Sequence, residues 1–463
     1  TQRPSDSYTD NWFLNSYFLR VNYQFNDKYL LTTTTRVDGS SKFGKNNKYG
    51  LFPSGAIAWR ISEESFMEDM NFISDLKLRT SYGITGNQEI GSFQSLARMG
   101  GSQYIFGNSR VVGSMPVSIA NKDLKWEKTA QLDVGIDASL LDDRITFNAD
   151  YYYKKTTDLL LQTKVPYSSG FATSLENVGA VENKGYELSL STVNLRSRDL
   201  MWTTSFNITF NNNKILDLGD TDQIISNGYL WFFNSYSIAK EGHPVGMFYN
   251  YEFDGIWQED DDIENSAQPN AKPGDQKFVD QNNDGQINAQ DRTMIGNPHP
   301  DFTFGFTTTL EWKNFELRAN INGVYGNEIM NASYIDVKFP NATTNTTHDT
   351  YYNRWTPENN SNTHLRAGSD LNPASSSMYL EDGSYLRISN LLVGYNLPKK
   401  WLNRVGIENA RVYVNAENLY TLTNYSGYNP EANLFGDDNL RLGYDYSFYP
   451  QARTFNVGMN IQF

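Results

Sequence analysis

Thr454-Phe455-Asn456-Val457-Gly458-Met459-Asn460-Ile461-Gln462-Phe463 closes the sequence, and its alternation is strict. Phe455, Val457, Met459, Ile461 and Phe463 fall on one side of an extended chain and Asn456, Gly458, Asn460 and Gln462 on the other, because side chains of a strand alternate with a period of two. Taken alone, such a stretch fits a strand covering a soluble core. The same pattern recurs upstream, and the recurrence changes the reading.

In Ser16–Phe25, Tyr17, Leu19, Val21, Tyr23 and Phe25 alternate with polar residues such as Arg20, Asn22 and Gln24. Lys28–Asp38, Tyr49–Ile61, Leu76–Thr85, Gln131–Leu140, Arg144–Lys154 and Lys184–Val193 repeat the pattern, as do Met201–Asn211, Asp301–Trp312, Phe315–Tyr325, Ser384–Leu397 and Ala410–Tyr420. With the terminal stretch this makes about thirteen strands, within the range of transmembrane barrels. The expected fold class is therefore all-β: an antiparallel transmembrane β-barrel with long extracellular loops.

The connections sort by length. Asn26-Asp27, Leu141 to Asp143, Leu195 to Asp199 and Lys313-Asn314 are short, with Glu63 to Ser74 and Pro398 to Asn409 the longer members of that set. Gly39 to Lys48, Gly86 to Glu127, Asn212 to Pro300, Asn327 to Glu381 and Thr421 to Ala452 form the long set. Short turns on one side and long loops on the other are what outer-membrane barrels show, and a soluble sandwich has no reason to sort them by end. The first strand ends in a short turn and so runs inward, as the last must if its end is periplasmic. An odd set bounded this way predicts further strands upstream, so residues 1–463 read as the carboxy-terminal part of a larger barrel whose first strands lie outside this chain.

Composition agrees. Aromatic residues make up 14% of the 463 residues, with 30 Tyr and 27 Phe, yet the mean hydropathy is −0.58. Only half of each barrel strand faces lipid, which reconciles the two figures, and no apolar run has the length of a spanning helix. There is no cysteine, so no disulfide framework supports the fold. A net charge of −14 argues against nucleic acid as a partner. Trp12, Trp126, Trp202, Trp312 and Trp401 stand near strand ends and are expected in the interfacial girdle. Arg20, Arg36, Arg79, Asp133, Asp137, Asp150, Glu187, Arg318, Arg387, Arg411 and Glu417 are expected to line the lumen, since a charge facing lipid costs a few kcal/mol.

The sharpest local motif is Asp280-Gln281-Asn282-Asn283-Asp284-Gly285-Gln286-Ile287-Asn288-Ala289-Gln290-Asp291. Asp280, Asn282, Asp284 and Asp291 take the side-chain ligand positions of a calcium loop, Gly285 its tight turn, Gln286 the backbone-carbonyl position and Asn288 the water-mediated one. Calcium is the expected cofactor, with magnesium the alternative, in a structural role within the long loop 212–300 and beside the acidic run Glu259–Glu264. Asp in place of the usual Glu at the last position shortens its reach. The competing reading is a solvated Asn/Asp-rich turn.

Catalysis finds no support. There is no Cys or Ser elbow, and the four histidines, His243, His299, His348 and His364, fall in loop segments. The chain is expected not to be an enzyme. Trp231, Phe233 and Tyr236, with Tyr249 and Trp257, are candidates for stacking a substrate in the loops, although such clusters more often pack a loop against itself.

Eight segments resemble the SusC/RagA family of TonB-dependent outer-membrane transporters. They are RVDGSSKFGKNNKYGLFPSGAIAWRISEESF from Arg36, LKLRTSYGITGNQ from Leu76, DDRITFNADYYYKKTTDLLL from Asp142, NKGYELSL from Asn183, GNPHPDFTFGF from Gly296, SYLRISNLLVGYNLP from Ser384, ARVYVNAENLYTLTNYSGYNPE from Ala410 and the terminal strand. The resemblance implies a barrel of about twenty-two strands, of which these would be the last, preceded by a plug domain that is not in this chain. It also implies localisation in the bacterial outer membrane, among bilayer lipid and lipopolysaccharide. The implied activity is import of oligosaccharides or peptides, driven through the TonB complex beneath a SusD-like surface lipoprotein. The rivals are a siderophore-type receptor, a passive porin, and a secreted, calcium-braced, β-rich glycan-binding protein. Apolar rows packed against one another in a dry interior would remove the importer reading.

Overall fold

The computed structural model describes residues 9–230, 233–339, 345–368, 374–403, 406–436 and 438–463. Thirteen strands form one antiparallel sheet in strict chain order. They are β1 (Leu14–Phe25), β2 (Tyr29–Ser40), β3 (Tyr49–Arg60), β4 (Ile73–Asn87), β5 (Glu127–Leu140), β6 (Ile145–Thr157), β7 (Ala180–Arg196), β8 (Leu200–Asp217), β9 (Phe302–Trp312), β10 (Phe315–Tyr325), β11 (Tyr385–Asn396), β12 (Asn409–Thr423) and β13 (Thr454–Gln462). Every expected strand is present. Several run further than expected, β8 to Asp217 and β4 to Asn87, because the backbone ladder continues where the alternation is lost, through the run Asn211 to Lys214 in β8 and Gly86-Asn87 in β4.

Short turns join neighbours where the sequence allows a left-handed backbone. Asn26 and Asp27 both have positive φ, as suits the tight turn closed by the Lys28 N–H on the Phe25 carbonyl, and Leu141, Asp142 and Asp143 share that region.

The chain divides into two compact units, one comprising residues up to Leu188 with Asn213–Asp222, the other Ser189–Asn212 with Gln223–Phe463. In the first, the register Leu31↔Ile57, Leu78↔Ile136 and Tyr82↔Leu132 sets apolar residues side by side, on the exposed face. Ile57 is 57% exposed, Leu51 56% and Val134 40%, although all three sit on strands paired on both sides. The other face of these strands is polar. A soluble protein rarely exposes contiguous apolar rows of this extent, whereas hydrocarbon solvates them. Among the described residues no buried cluster collects them. Within this unit a small core does form among the long connections, from Phe43, Phe52, Leu124 and Trp126. Trp126 is 4% exposed there, its indole N–H bonded to the Lys48 carbonyl, so it is a packing residue and not part of an interfacial girdle. Trp12 (46%), in this unit, is exposed as expected, as are Trp202, Trp312 and Trp401 in the second.

Pro53 lies inside β3 and brings no N–H. Pairing of β3 with β2 runs through it to Tyr49, but pairing with β4 begins only at Ser54.

In the second unit the rows Trp202, Phe206 and Ile208, Phe304 and Phe306, Leu317 and Ile321, and Val457 and Met459 repeat the arrangement. Val457 is 77% exposed. The long connections of this unit, expected as long loops, carry secondary structure of their own. Gln223–Leu230, Phe233–Lys240, Met247–Tyr251 and Arg292–Gly296 make a four-stranded sheet, and Phe253–Ile256 pairs with Gln276–Phe278. Helices α1 (Ala332–Lys338) and α2 (His348–Asn353) pack beside them, so His348 starts a helix instead of lying in a loop. Phe248, Ile256, Met330, Ile335, Trp355, Leu365, Tyr379 and Tyr444 are buried together as the core of this subdomain.

Candidate functional site

The calcium-type loop lies in the second unit's subdomain, between Gln276–Phe278 and Arg292–Gly296. Its oxygens turn inward and hold its own backbone. Asp280 accepts the Gly285 N–H at 2.9 Å, Asn282 that of Asp284 at 3.0 Å and Asp284 that of Gln286 at 2.9 Å. Asp291 is fully buried, its two oxygens taking the N–H groups of Gln281 and Asn288. Asn288 and Asp291 form a capping box around the short helix Ala289–Asp291. Asn283 and Gly285 supply the positive φ values that bend the loop back.

Two observations test whether a cation fits. The Asp280 Oδ1 is buried and has no hydrogen-bond partner, and a buried carboxylate at Asp291 with only backbone donors is a costly arrangement without a counter-charge. Both favour one. Among the described residues, however, no three His, Cys, Asp or Glu side chains converge as a metal-holding group, so the amide and carbonyl oxygens of the motif would have to complete the shell. The loop is tied to its surroundings by the Ile287 N–H, which donates to the Ala267 carbonyl.

Beside it opens a cavity of about 440 Å³, lined by Tyr251, Phe278, Gln268, Asp275, Gln276 and Ile287 among others. Three of its polar side chains are already engaged: Gln268 bridges Gln276 and Phe278 backbone, Gln276 binds Tyr379 and Ser376, and Asp275 pairs with Arg366.

The aromatic candidates separate. Trp231 lies outside the described residues, as does the side chain of Phe233. Trp257 is 6% exposed with the Lys277 ammonium 4.9 Å from its ring, so it packs the subdomain. Tyr236 is half-buried beneath the Arg292 guanidinium at 3.9 Å, and Tyr249 is half-buried in its strand.

The charged residues expected to line the lumen fall on the polar face in both units, in two styles. In the first, Lys77 and Arg79 bind Asp137 at 2.7 and 3.1 Å, and Arg79 also reaches Asp150 at 2.7 Å. Arg36 pairs with Asp38. In the second, Arg411 pairs with Glu316 at 2.6 Å, and amides dominate the rest: Asn390 donates to Asn415 at 2.8 Å and Asn415 to Glu417 at 3.2 Å. Arg387 is 5% exposed and bound to Glu431 of the connection after β12, with Tyr385, Thr421 and Asn429 around them. Burial works to raise the Glu431 carboxyl, but the hydrogen bonds from Tyr385 and Arg387 outweigh it and hold it below the usual range. That latch was not legible in the sequence, because nothing in the spacing links a strand arginine to a glutamate 44 residues on.

The chain matches the family model described as "TonB dependent receptor-like, beta-barrel" over residues 1–419. It is 41% identical to TonB-dependent receptor P3 of Formosa agariphila over 100% of its own length and 47% of the relative's. Against TonB-dependent receptor SusC of Bacteroides thetaiotaomicron the identity is 33%, covering 100% of this chain and 46% of that protein. Among solved structures, that of the RagAB peptide transporter superposes with a TM-score of 0.82 at 28% identity, covering 97% of this chain and 48% of the other. The chain thus spans about half the length of the relatives it matches.

Proposed function

From the chain's membership of the TonB-dependent receptor-like β-barrel family, which places it in the outer membrane, we propose that it forms about thirteen strands of a larger barrel of some twenty-two, and that the whole protein is a SusC/RagA-type importer of oligosaccharides or peptides. The observation that carries this reading is the inverted sheet, with apolar rows exposed and ion pairs and amides on the opposite face. The likeness to RagAB at a TM-score of 0.82 supports it. The relatives are named receptors and a transporter, in keeping with transport instead of chemistry on the cargo. Energy would come through the TonB complex and cargo through a SusD-like lipoprotein lid. Deleting the full-length gene should abolish growth on the cargo class and uptake of it, and a protein released from membranes by carbonate without detergent would sink the assignment.

Calcium in the 280–291 loop belongs to the same reading. Asp280, Asn282, Asp284, the Gln286 carbonyl, Asn288 through water and Asp291 would hold it, and its charge would offset the buried Asp291 carboxylate. In limited proteolysis of the full-length protein, added calcium should slow cleavage within the loop and chelator should speed it, with Asp291→Ala removing the difference. Identical cleavage kinetics under all three conditions would remove the metal.

A further inference from the structure

On the apolar face of the first unit the outward positions of β1 to β4 are uncharged throughout, from Tyr17, Leu19 and Val21 on β1 to Leu78, Tyr82 and Ile84 on β4. The strands that follow break this rule at one end. Lys155 of β6 lies two residues beyond Tyr153 and opposite Ala130, and Lys128 of β5 lies two residues before Ala130 and opposite Thr157, so both share the face of Leu132 and Tyr153. Tyr151 and Tyr186 touch between β6 and β7 with ring centres 5.2 Å apart, which sets Lys184 on the same side. Asn213 donates to Asn183 at 2.9 Å on the opposite side, so Lys214 of β8 keeps to the apolar one. All four lysines are exposed.

They occupy the end of the long connections 88–126 and 158–179, which marks the outer side of a barrel. The turn ends of β5 and β6 present Ala138, Leu140, Ile145 and Phe147 instead. One carboxylate stands among the lysines. Glu182 is buried, and Lys184 and the Tyr153 hydroxyl each donate to one of its oxygens at 3.3 Å. Lys128, Lys155 and Lys214 have no carboxylate within 4 Å among the described residues. Four lysines against one glutamate leave three positive charges in excess, in a chain whose net charge is −14.

A lysine at the edge of a lipid-facing surface lays its alkyl chain on apolar neighbours and lifts its ammonium to the headgroups. A generic rim would repeat such residues on every strand. Here they gather on four consecutive strands beside four with none, which calls for a localised anion with an apolar part of its own. Phosphate supplies the charge, and acyl chains suit the row beneath, where Tyr186 is 56% exposed and Val134 40%. We propose that Lys128, Lys155 and Lys214, with Lys184 holding Glu182 beside them, bind the phosphate groups of lipopolysaccharide in the outer leaflet, its acyl chains lying over Val134, Tyr151 and Tyr186. The site follows from the outer-membrane location and is independent of the cargo.

The test uses the full-length protein in detergent, with heat-modifiable mobility on gels confirming a folded barrel for each variant. Binding of fluorescent rough lipopolysaccharide is measured beside the same lipid after phosphatase treatment, with inorganic phosphate as competitor. Lys128→Gln, Lys155→Gln and Lys214→Gln together should weaken binding of the phosphorylated lipid about a hundredfold, and Lys155→Gln alone about fivefold. Lys184 is left in place so that Glu182 stays paired. Lys45→Gln with Lys122→Gln, in the long connections, should change nothing. Equal affinity for the two lipids, unchanged affinity in the triple variant, or an equal loss in the Lys45/Lys122 pair would overturn the site. Inorganic phosphate that competes as well as the lipid itself would overturn lipopolysaccharide as its ligand. Each of these failures leaves the importer reading standing.

Discussion

Arg79 and Tyr413 solve the same steric problem for different ends. Each reaches over a glycine directly opposite it in the next strand, Gly135 for Arg79 and Gly458 for Tyr413. In the first unit Asp150 comes over Gly135 from the far side, so the guanidinium and carboxylate meet above the strand between them. In the second unit the Arg411 guanidinium stands over the Tyr413 ring, 5.3 Å from its centroid, and pairs with Glu316, while Asn390, Asn415 and Asn456 form an amide row one rung along. Parting two charged groups that satisfy one another leaves an uncompensated charge, whereas neutral amides exchange their partners for water at a smaller cost.

That contrast can be broken. The largest effect should follow Gly135→Ala, whose Cβ would stand 2.2 Å from the Asp150 Oδ1 and 2.8 Å from the Arg79 Cζ. Parting the pair should cost about 2 kcal/mol of folding free energy in detergent-based unfolding of the full-length barrel. Arg79→Ala should cost about 1–2 kcal/mol, discounted because the pair is partly solvated. Gly458→Ala should cost less than either while displacing the ring. Equal losses from the two glycine variants would mean that the rows are structurally alike.

Acid sharpens the comparison. Tyr29, Lys28 and Trp59 donate to Glu64 in the connection after β3 and hold its pKa at about 2, against an ordinary 4.5. A depressed carboxyl contributes stability that is complete above the ordinary value and fades as the pH falls toward the lowered one. Unfolding midpoints of wild type and Glu64→Gln should therefore differ at neutral pH and converge as pH drops from 4.5 toward 2. Asn390→Ala should show no such convergence. A constant gap for Glu64→Gln across that window would remove the ionic account of the cluster.

The smallest effect is expected in the amide row. A double-mutant cycle on Asn390 and Asn415 should return a coupling of about 0.5–1 kcal/mol that salt leaves unchanged. The Arg79–Asp150 cycle should shrink as salt rises.

The strands were legible because hydrocarbon on one side and polar groups on the other impose an alternation that any single strand displays. The calcium-type loop was equally local, since its turn and its oxygens fall within one short segment. The subdomain around Phe248, Trp355 and Tyr444 was not, because each contributes one side chain from a distant connection and no period links them. Trp126 looked like its exposed counterparts, as a tryptophan near a strand end reads the same whether lipid or Phe43 covers it, and here the rings are 4.9 Å apart. Tyr413 could have been found, since it breaks the polar row of β12 with an aromatic ring opposite a glycine. Only the register between β12 and β13 reveals that pairing.

Pro53 has a mechanical corollary. Because the seam between β3 and β4 stops at Ser54, the segment from Tyr49 to Pro53 can bend away from β4 without rupturing any backbone bond to it. Toward β4 that segment is held by side chains alone, with Phe52 set against Trp126 at 5.4 Å between ring centres, while its backbone stays laddered to β2.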